Sequence, residues 1–164
     1  MAGDNPLFVA RRLVRAAVED VGLADPNALL IAQAAADAYH FLGSPEGELA
    51  IAEAAIYLAA APKSNRVYRA YKEAREVAQE KGSLEVPLHL RNAVTGLMSD
   101  LGYGKEYQYA HNQPDQVVDQ EHLPPSIQGR TFYQPGTQGF EKKIAERLAQ
   151  WETLRKRIRD EEAS

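Results

Sequence analysis

The chain has 164 residues, a formal net charge of −4, 45% hydrophobic and 26% charged residues, and no cysteine. That length can bury a core without staples, and the acidic balance excludes a chain that binds polyanions over its whole surface. The absence of cysteine excludes a disulfide framework, a thiolate zinc site and a cysteine nucleophile. No apolar run has the roughly 20 residues needed to span a bilayer, and no charged-then-apolar signal segment opens the sequence, so a cytoplasmic setting is expected. Met1-Ala2-Gly3 reads as a start or vector remnant, and residues 1–5 as remnant and cap.

Residues 6–101 read as helix after helix. Asp4 or Asn5 caps a helix that opens on Pro6, where the missing N–H is harmless. Its apolar stripe is Ala10, Leu13, Val14, Ala17, Val18 and Val21, and Gly22 ends it. Asp25-Pro26 repeats the cap-then-proline signal before a helix over 28–42, closed by Gly43. Ser44-Pro45-Glu46 opens a third, alanine-rich helix with Leu49, Ala52, Ile56 and Ala59 on one side. Its small residues predict close helix approach and a central position. Pro62 stops it, and Ser64 caps a fourth helix expected to bury Val67, Tyr71, Ala74 and Ala78 before Gly82. A short fifth helix is expected from about Ala93 to Leu101.

Residues 102–139 break the pattern with four prolines, several glycines and no period. Tyr103, Tyr107, Tyr109, Phe132 and Tyr133 argue against disorder, which is poor in aromatics. An ordered loop pinned by its rings is predicted, with a short strand over Arg130-Thr131-Phe132-Tyr133. Residues 140–164 supply a C-terminal helix and tail, the helix beginning near Thr137 or Gln138 and running to about Glu161. Ile144, Leu148, Trp151, Leu154 and Ile158 make a narrow apolar seam that either lies across the bundle or meets a neighbouring subunit, which makes it the candidate oligomer interface. Glu152–Lys156 and Arg157–Glu161 are spaced as i,i+4 pairs. The whole is expected to be one all-α structural domain.

Chemistry is sparse. No Gly-x-x-x-x-Gly-Lys-Ser/Thr cradle is present, and Gly102-Tyr103-Gly104-Lys105 lacks the phosphate-wrapping spacing, so Gly102 reads as a helix C-cap. His40, His89, His111 and His122 include no i,i+4 pair. His111, Asp115, Asp119 and His122 can be assembled into a metal site on paper, but solvated or loop-bonding side chains are the plainer reading. Glu19, Asp20 and Asp25 are adequately explained as helix-end and capping groups. His89, Arg91 and Asn92 crowd a turn before a helix N-terminus, which suits an anion. The plainer alternative is that Asn92 caps the helix and Arg91 ties the loop to a carboxylate. Lys63, Arg66, Arg69, Lys72 and Arg75 recur at every third position of the fourth helix. Steps of three spiral round a helix, so this is a solvated stripe first and a phosphate-contacting surface second. No nucleophile–base pair or metal set supports a freestanding enzyme, and no catalytic, cofactor or metal residue is assigned.

Six motifs in order carry a resemblance. They are Ala10-Arg11-Arg12-Leu13, Glu19-Asp20-Val21-Gly22, Ala24-Asp25-Pro26, Gly43-Ser44-Pro45-Glu46-Gly47-Glu48, Ala61-Pro62-Lys63-Ser64-Asn65, and Pro87-Leu88-His89-Leu90-Arg91-Asn92-Ala93. Leu101-Gly102-Tyr103-Gly104-Lys105 and Tyr109-Ala110-His111 then follow. From about Pro6 to about Leu154 the chain resembles the C-terminal region of the replication-associated recombination protein A (RarA/MgsA) family of AAA+ ATPases, related to the Werner-helicase-interacting ATPases.

The resemblance implies a clamp-loader-collar-like helical bundle that forms a homotetramer and belongs to an ATPase working at stalled replication forks. On the same ground Asp25, Pro26, Pro62, Ser64, Asn65, His89, Arg91, Asn92, Gly102, Tyr103, Gly104, Tyr109 and His111 are family-motif structural residues. ATP and magnesium would belong to a motor region that this sequence does not contain, leaving no cofactor here. DNA, forked or single-stranded, and single-strand-binding protein are the implied partners besides further copies, in a nucleoid-associated setting. Neither a membrane nor a small-molecule substrate is expected. Lys63, Arg66, Arg69, Lys72, Arg75 and Arg91 are the candidate DNA contacts. The alternative is a helical module that contacts DNA or single-strand-binding protein without assembling alone.

Overall fold

The computed structural model describes residues 3–113 and 115–162, so the remnant reading of Met1 and Ala2 lies outside the described residues. Six α-helices appear among them: α1 Pro6–Ala16, α2 Asn27–Leu42, α3 Glu46–Ala60, α4 Arg66–Lys81, α5 Gly96–Asp100 and α6 Glu141–Glu162. A π turn, Ala17–Val21, and a 3-10 turn, Gly22–Ala24, follow α1. The chain is all-helical, as expected. Residues 130–133 do not form the expected strand, and no strand occurs among the described residues. A lone four-residue segment has no ladder to join.

Contacts gather in two compact units, with boundaries inside α4 and α6. One holds the chain up to Ala74 with Phe132–Ala145; the other holds Arg75–Thr131 with the chain from Glu146 onward. In the first unit α1, α2 and α3 pack against one another. Asn5 Oδ1 accepts the Leu7 N–H at 2.9 Å and starts α1 on Pro6. The core is small-residue packing: Ala10, Ala17, Ala24, Ala28, Ala32, Ala35 and Ala54, with Val21, Ile51 and Leu58, are buried. Ala28, Ala32 and Ala35 fall on one side of α2. Without large side chains between them the backbones meet closely: a Cβ on Gly47 would stand 2.7 Å from the Tyr39 Cα.

Three helix faces differ from the expected ones. On α3 the core side is Gly47, Ile51, Ala54 and Leu58, whereas Leu49, Ala52, Ile56 and Ala59 are exposed. The two sides are nearly equal in size, and the difference is Gly47, whose missing side chain lets α3 approach the Tyr39 backbone of α2. On α1 the stripe holds until the π turn, where Ala17 and Val21 are buried and Val18 turns outward. The extra residue per turn shifts the register there. On α4 the buried residue is Val77, and Tyr71 and Ala78 are exposed.

In the second unit Val77 and Val117 are buried. Its loop, 102–131, is held by polar pins and by one of its rings, the half-buried Tyr103, on which Arg91 lies. The Gln108 N–H donates to Gln120 Oε1 at 2.7 Å, and Gly104 N–H donates to the Leu88 carbonyl at 2.9 Å. Arg157 meets Asp115 at 2.8 Å and Arg159 meets Asp119 at 3.3 Å. Tyr107 and Tyr109, expected to pin the loop, are exposed. Glu152 pairs with Arg159 at 2.7 Å rather than with Lys156, and the expected Arg157–Glu161 pair stands at 3.7 Å. α5 is shorter than expected: Thr95, not Asn92, caps it by accepting the Met98 N–H at 3.3 Å.

Candidate functional site

The entrance to α4 is the most elaborated polar region of the first unit. Ser64 N–H donates to the Asp20 carbonyl at 2.8 Å, and Ser64 Oγ accepts the Arg66 N–H at 3.2 Å. Lys63 Nζ donates to the Leu58 carbonyl. The Ala61–Asn65 motif is thus a latch: proline ends α3, serine starts α4 and ties it back to the π turn. Beside it lies an open recess of about 760 Å³ lined by Asp20, Leu58, residues 63–66, residues 136–138 and Glu141. Arg66 also lines a second recess, of about 120 Å³, with Arg69, Glu73, Phe132 and Gln134.

Of the arginine–lysine stripe, Lys63 is bonded to the backbone, Arg66 is half-buried between the two recesses, and Arg69, Lys72 and Arg75 are exposed. Tyr68 and Tyr71 stand exposed among them. Glu73 and Glu76 share the helix and weaken its positive field.

The turn at 87–92 uses its polar groups internally. Arg91 donates from Nε to the Val86 carbonyl at 2.6 Å and from its terminal nitrogens to Tyr103 Oη at 3.3 Å and Glu85 at 2.8 Å. Its guanidinium carbon is 5.3 Å from the Tyr103 ring centroid. The hydrogen bond to Glu85, then that to Tyr103, holds the guanidinium more firmly charged than usual. Glu85 is therefore the carboxylate to which Arg91 ties the loop. His89 Nε2 is 2.8 Å from the Glu121 carbonyl. The Glu121 carboxylate accepts the Leu123 and His122 N–H groups, the first of which does most to hold it below the usual carboxylate range. Gly102, Tyr103 and Gly104 close on this turn, so the two motifs hold each other. Tyr109 and His111 stack at 5.1 Å with tilted rings on the surface.

The carboxylates considered for catalysis or metal binding are spoken for separately. Glu19 pairs with Arg15 at 2.8 Å, which lowers its pKa, and Asp25 accepts the Asn27 N–H at 3.1 Å and the Tyr57 hydroxyl at 2.6 Å. Asp115 and Asp119 serve Arg157 and Arg159. Among the described residues no three His, Asp or Glu side chains gather as a metal-holding group.

Sequence reasoning missed Glu141. This carboxylate opens α6 and is fully buried, accepting the Tyr133 hydroxyl at 2.8 Å and the Gly136 N–H at 2.9 Å. Burial first, then the bond to Glu141, raises the Tyr133 pKa. Just before it, Gly139 sits at φ +53°, where a Cβ would meet the Ala24 carbonyl oxygen at 2.0 Å, and Phe140 N–H donates to that oxygen at 2.8 Å. The available signal was an acid at a helix start after paired glycines. On a helix so rich in charge it was indistinguishable from a solvated residue.

The seam residues of α6 divide. Ile144, Leu154 and Ile158 are half-buried, and Leu148 and Trp151 are more open. No helix among the described residues is long and apolar enough to cross a membrane.

Comparison with known proteins adds what this geometry leaves open. Residues 1–152 match the family model described as MgsA AAA+ ATPase C terminal. Replication-associated recombination protein A of Escherichia coli K12 is 50% identical over 149 residues, covering 90% of this chain and 33% of that protein. The Coxiella burnetii protein of the same name is 48% identical over 163 residues, covering 99% of this chain and 37% of its own length. ATPase WRNIP1 of Dictyostelium discoideum is 47% identical over 134 residues, 81% of this chain and 15% of that protein. The chain thus spans about a third of the length of these bacterial relatives. It belongs to the family of MgsA AAA+ ATPase C-terminal regions, whose curated relatives include the replication-associated recombination proteins A.

Proposed function

We propose that this chain is the assembly module of an ATPase acting in replication-associated recombination: it self-associates into a homotetrameric collar and so gathers motor regions carried elsewhere in a longer protein. The observation that carries this reading is the amount of large apolar side chain left open on a folded chain, including Leu30, Phe41, Leu49 and Ile56. Surfaces of that kind mark interaction sites. The sequence supplies no nucleotide cradle, so ATP and magnesium belong to the motor, and this piece is not itself catalytic. Light scattering on the purified chain over a dilution series tests the reading. A mass several times 18.1 kDa that holds on dilution is expected; a monomer at high micromolar concentration overturns it.

A second reading, contact with DNA or with single-strand-binding protein, is favoured by one observation. Arg66 and Arg69 flank Phe132 at a recess, and Tyr71 is exposed on the same helix. Arginines beside aromatic rings suit a single-stranded backbone with stacked bases. This reading predicts affinity for single-stranded or forked DNA that falls steeply with salt. No binding at low salt would remove it.

A further inference from the structure

Two stretches of this chain, whose net charge is −4, carry no acid at all: residues 6–18 and 63–72 hold seven lysines and arginines between them. The first stretch is α1 with the start of its π turn, and the second is the latch with the first half of α4, both in the first unit. The fold uses only half of the Ala10-Arg11-Arg12-Leu13 motif. Ala10 is buried and Leu13 packs against the core, but Arg11 and Arg12 are exposed. Neither has an ion-pair or hydrogen-bond partner among the described residues. At about 100° per residue, Phe8, Arg11, Arg12 and Arg15 fall on one side of α1, opposite Ala10 and Ala17. Phe8 is 59% exposed there. The start of α4 abuts the end of the turn after α1, where Ser64 N–H donates to the Asp20 carbonyl at 2.8 Å, and Tyr68 stands one turn further on. The Arg15 guanidinium is held charged first by its hydrogen bond to Glu19 and, more weakly, by the nearby Tyr68 hydroxyl. Tyr68 and Tyr71 are both exposed.

We infer that the outward side of α1, with Tyr68 and Tyr71 at its edge, holds single-stranded nucleic acid, Arg11 and Arg12 meeting the phosphates and the rings meeting the bases. The inference rests on the second reading above and moves the main contact to α1. Three features favour this side over the recess of Arg66 and Arg69. Arg11 and Arg12 have no protein ion pair to give up when a phosphate arrives, so the charge-assisted bonds are a net gain. No acid lies within residues 6–18 to repel a phosphate, whereas Glu73 lines the recess with Arg66 and Arg69. Open aromatic rings flank the arginines at both ends of the face, and every base offers a ring to stack on them. Those rings also decide between strands and partners. A duplex keeps its base faces stacked inside, and an acidic protein segment has none to offer. Backbone contacts of this kind position a strand without reading its sequence.

The test is fluorescence anisotropy of a labelled oligothymidylate with the purified chain over a salt series. Its variants are Arg11→Ala with Arg12→Ala, the same arginines changed to lysine, Arg66→Ala with Arg69→Ala, and Tyr68→Ala, each checked by circular dichroism. The α1 alanine pair should bind at least about tenfold more weakly and lower the log–log salt slope by about 1.4, two contacts at about 0.7 each. The lysine pair should keep most of that slope, since the charges remain. Tyr68→Ala should lose about fivefold or more with the slope unchanged. The Arg66–Arg69 alanine pair should lose less than the α1 pair. If oligothymidylate binds and the folded α1 alanine pair binds as well as wild type, this inference fails while the second reading stands. Tighter binding of a duplex of equal length, or of anionic phospholipid vesicles, overturns the single-strand assignment. No binding by the wild-type chain at low salt removes the second reading and this inference with it.

Discussion

The two units of this chain are held together by different physics. In the first, helices lie close because alanines and Gly47 make up much of their contact sides, and the core is fixed by shape: Ala28, Ala32, Ala54, Ile51 and Leu58 are buried with almost no polar group among them. In the second, a long loop is fixed by individual donors and acceptors, such as Arg91 on Val86 and Tyr103, and Asp115 and Asp119 on arginines of α6. Shape-fixed packing tolerates changes of charge on its outside but not changes of volume within. Pin-fixed structure behaves the other way round. In the first unit alanines with Val21, Ile51 and Leu58 fill the inside, and Phe41 and Ile56 stay open on the outside.

The sharpest way to break the contrast is Gly139→Ala. The new Cβ would need the space of the Ala24 carbonyl oxygen at a backbone angle of φ +53°. We expect a loss above about 4 kcal/mol, in the range reserved for such steric conflicts, read as a lower urea midpoint or failure to fold. Leu58→Ala should follow at about 2–5 kcal/mol, because this buried side chain has small neighbours that cannot collapse into the cavity.

Glu141→Ala should cost about 3 kcal/mol by orphaning the Tyr133 hydroxyl and the Gly136 N–H. The same pair gives a pH signature. Burial and Glu141 raise the Tyr133 pKa, so the folded state favours the neutral phenol. Below the ordinary tyrosine value near 10 both states are neutral and nothing changes. Above it the unfolded chain ionises first, and stability falls as pH rises. Urea midpoints measured from pH 9 to 11 should drop for the wild type and stay flatter for Tyr133→Phe.

In the second unit, Arg91→Lys should lower the melting temperature by less than any of these, since lysine cannot serve the Val86 carbonyl and the Tyr103 hydroxyl together. Smallest of all, Asp115→Asn with Asp119→Asn should leave the melting temperature nearly unchanged in 1 M salt and lower it slightly in dilute buffer, as exposed ion pairs do.

The element count and the all-α class were legible because proline and glycine punctuate this sequence and caps such as Asn5 and Ser64 stand where helices begin. Which side of each helix faces inward was not. An apolar period identifies a face only when the other side is polar, and on α3 both sides are apolar, so Leu49 and Ile56 read as core while Ile51 and Leu58 occupy it. The π turn defeated the period at Val18 in the same way. At the candidate site, the bonding of Arg91 to a nearby carboxylate was foreseeable from the crowding of polar groups on a turn. Glu141 was not, because its partners Tyr133 and Gly136 reach it only once the chain has folded back at Gly139.

The account turns on whether this chain assembles through an apolar face of its own. Native mass spectrometry of the purified chain, after dilution from high to low micromolar, addresses that directly. The account predicts a dominant species at four times 18.1 kDa, about 72 kDa, persisting on dilution. A spectrum of 18.1 kDa monomer alone at every concentration would contradict it.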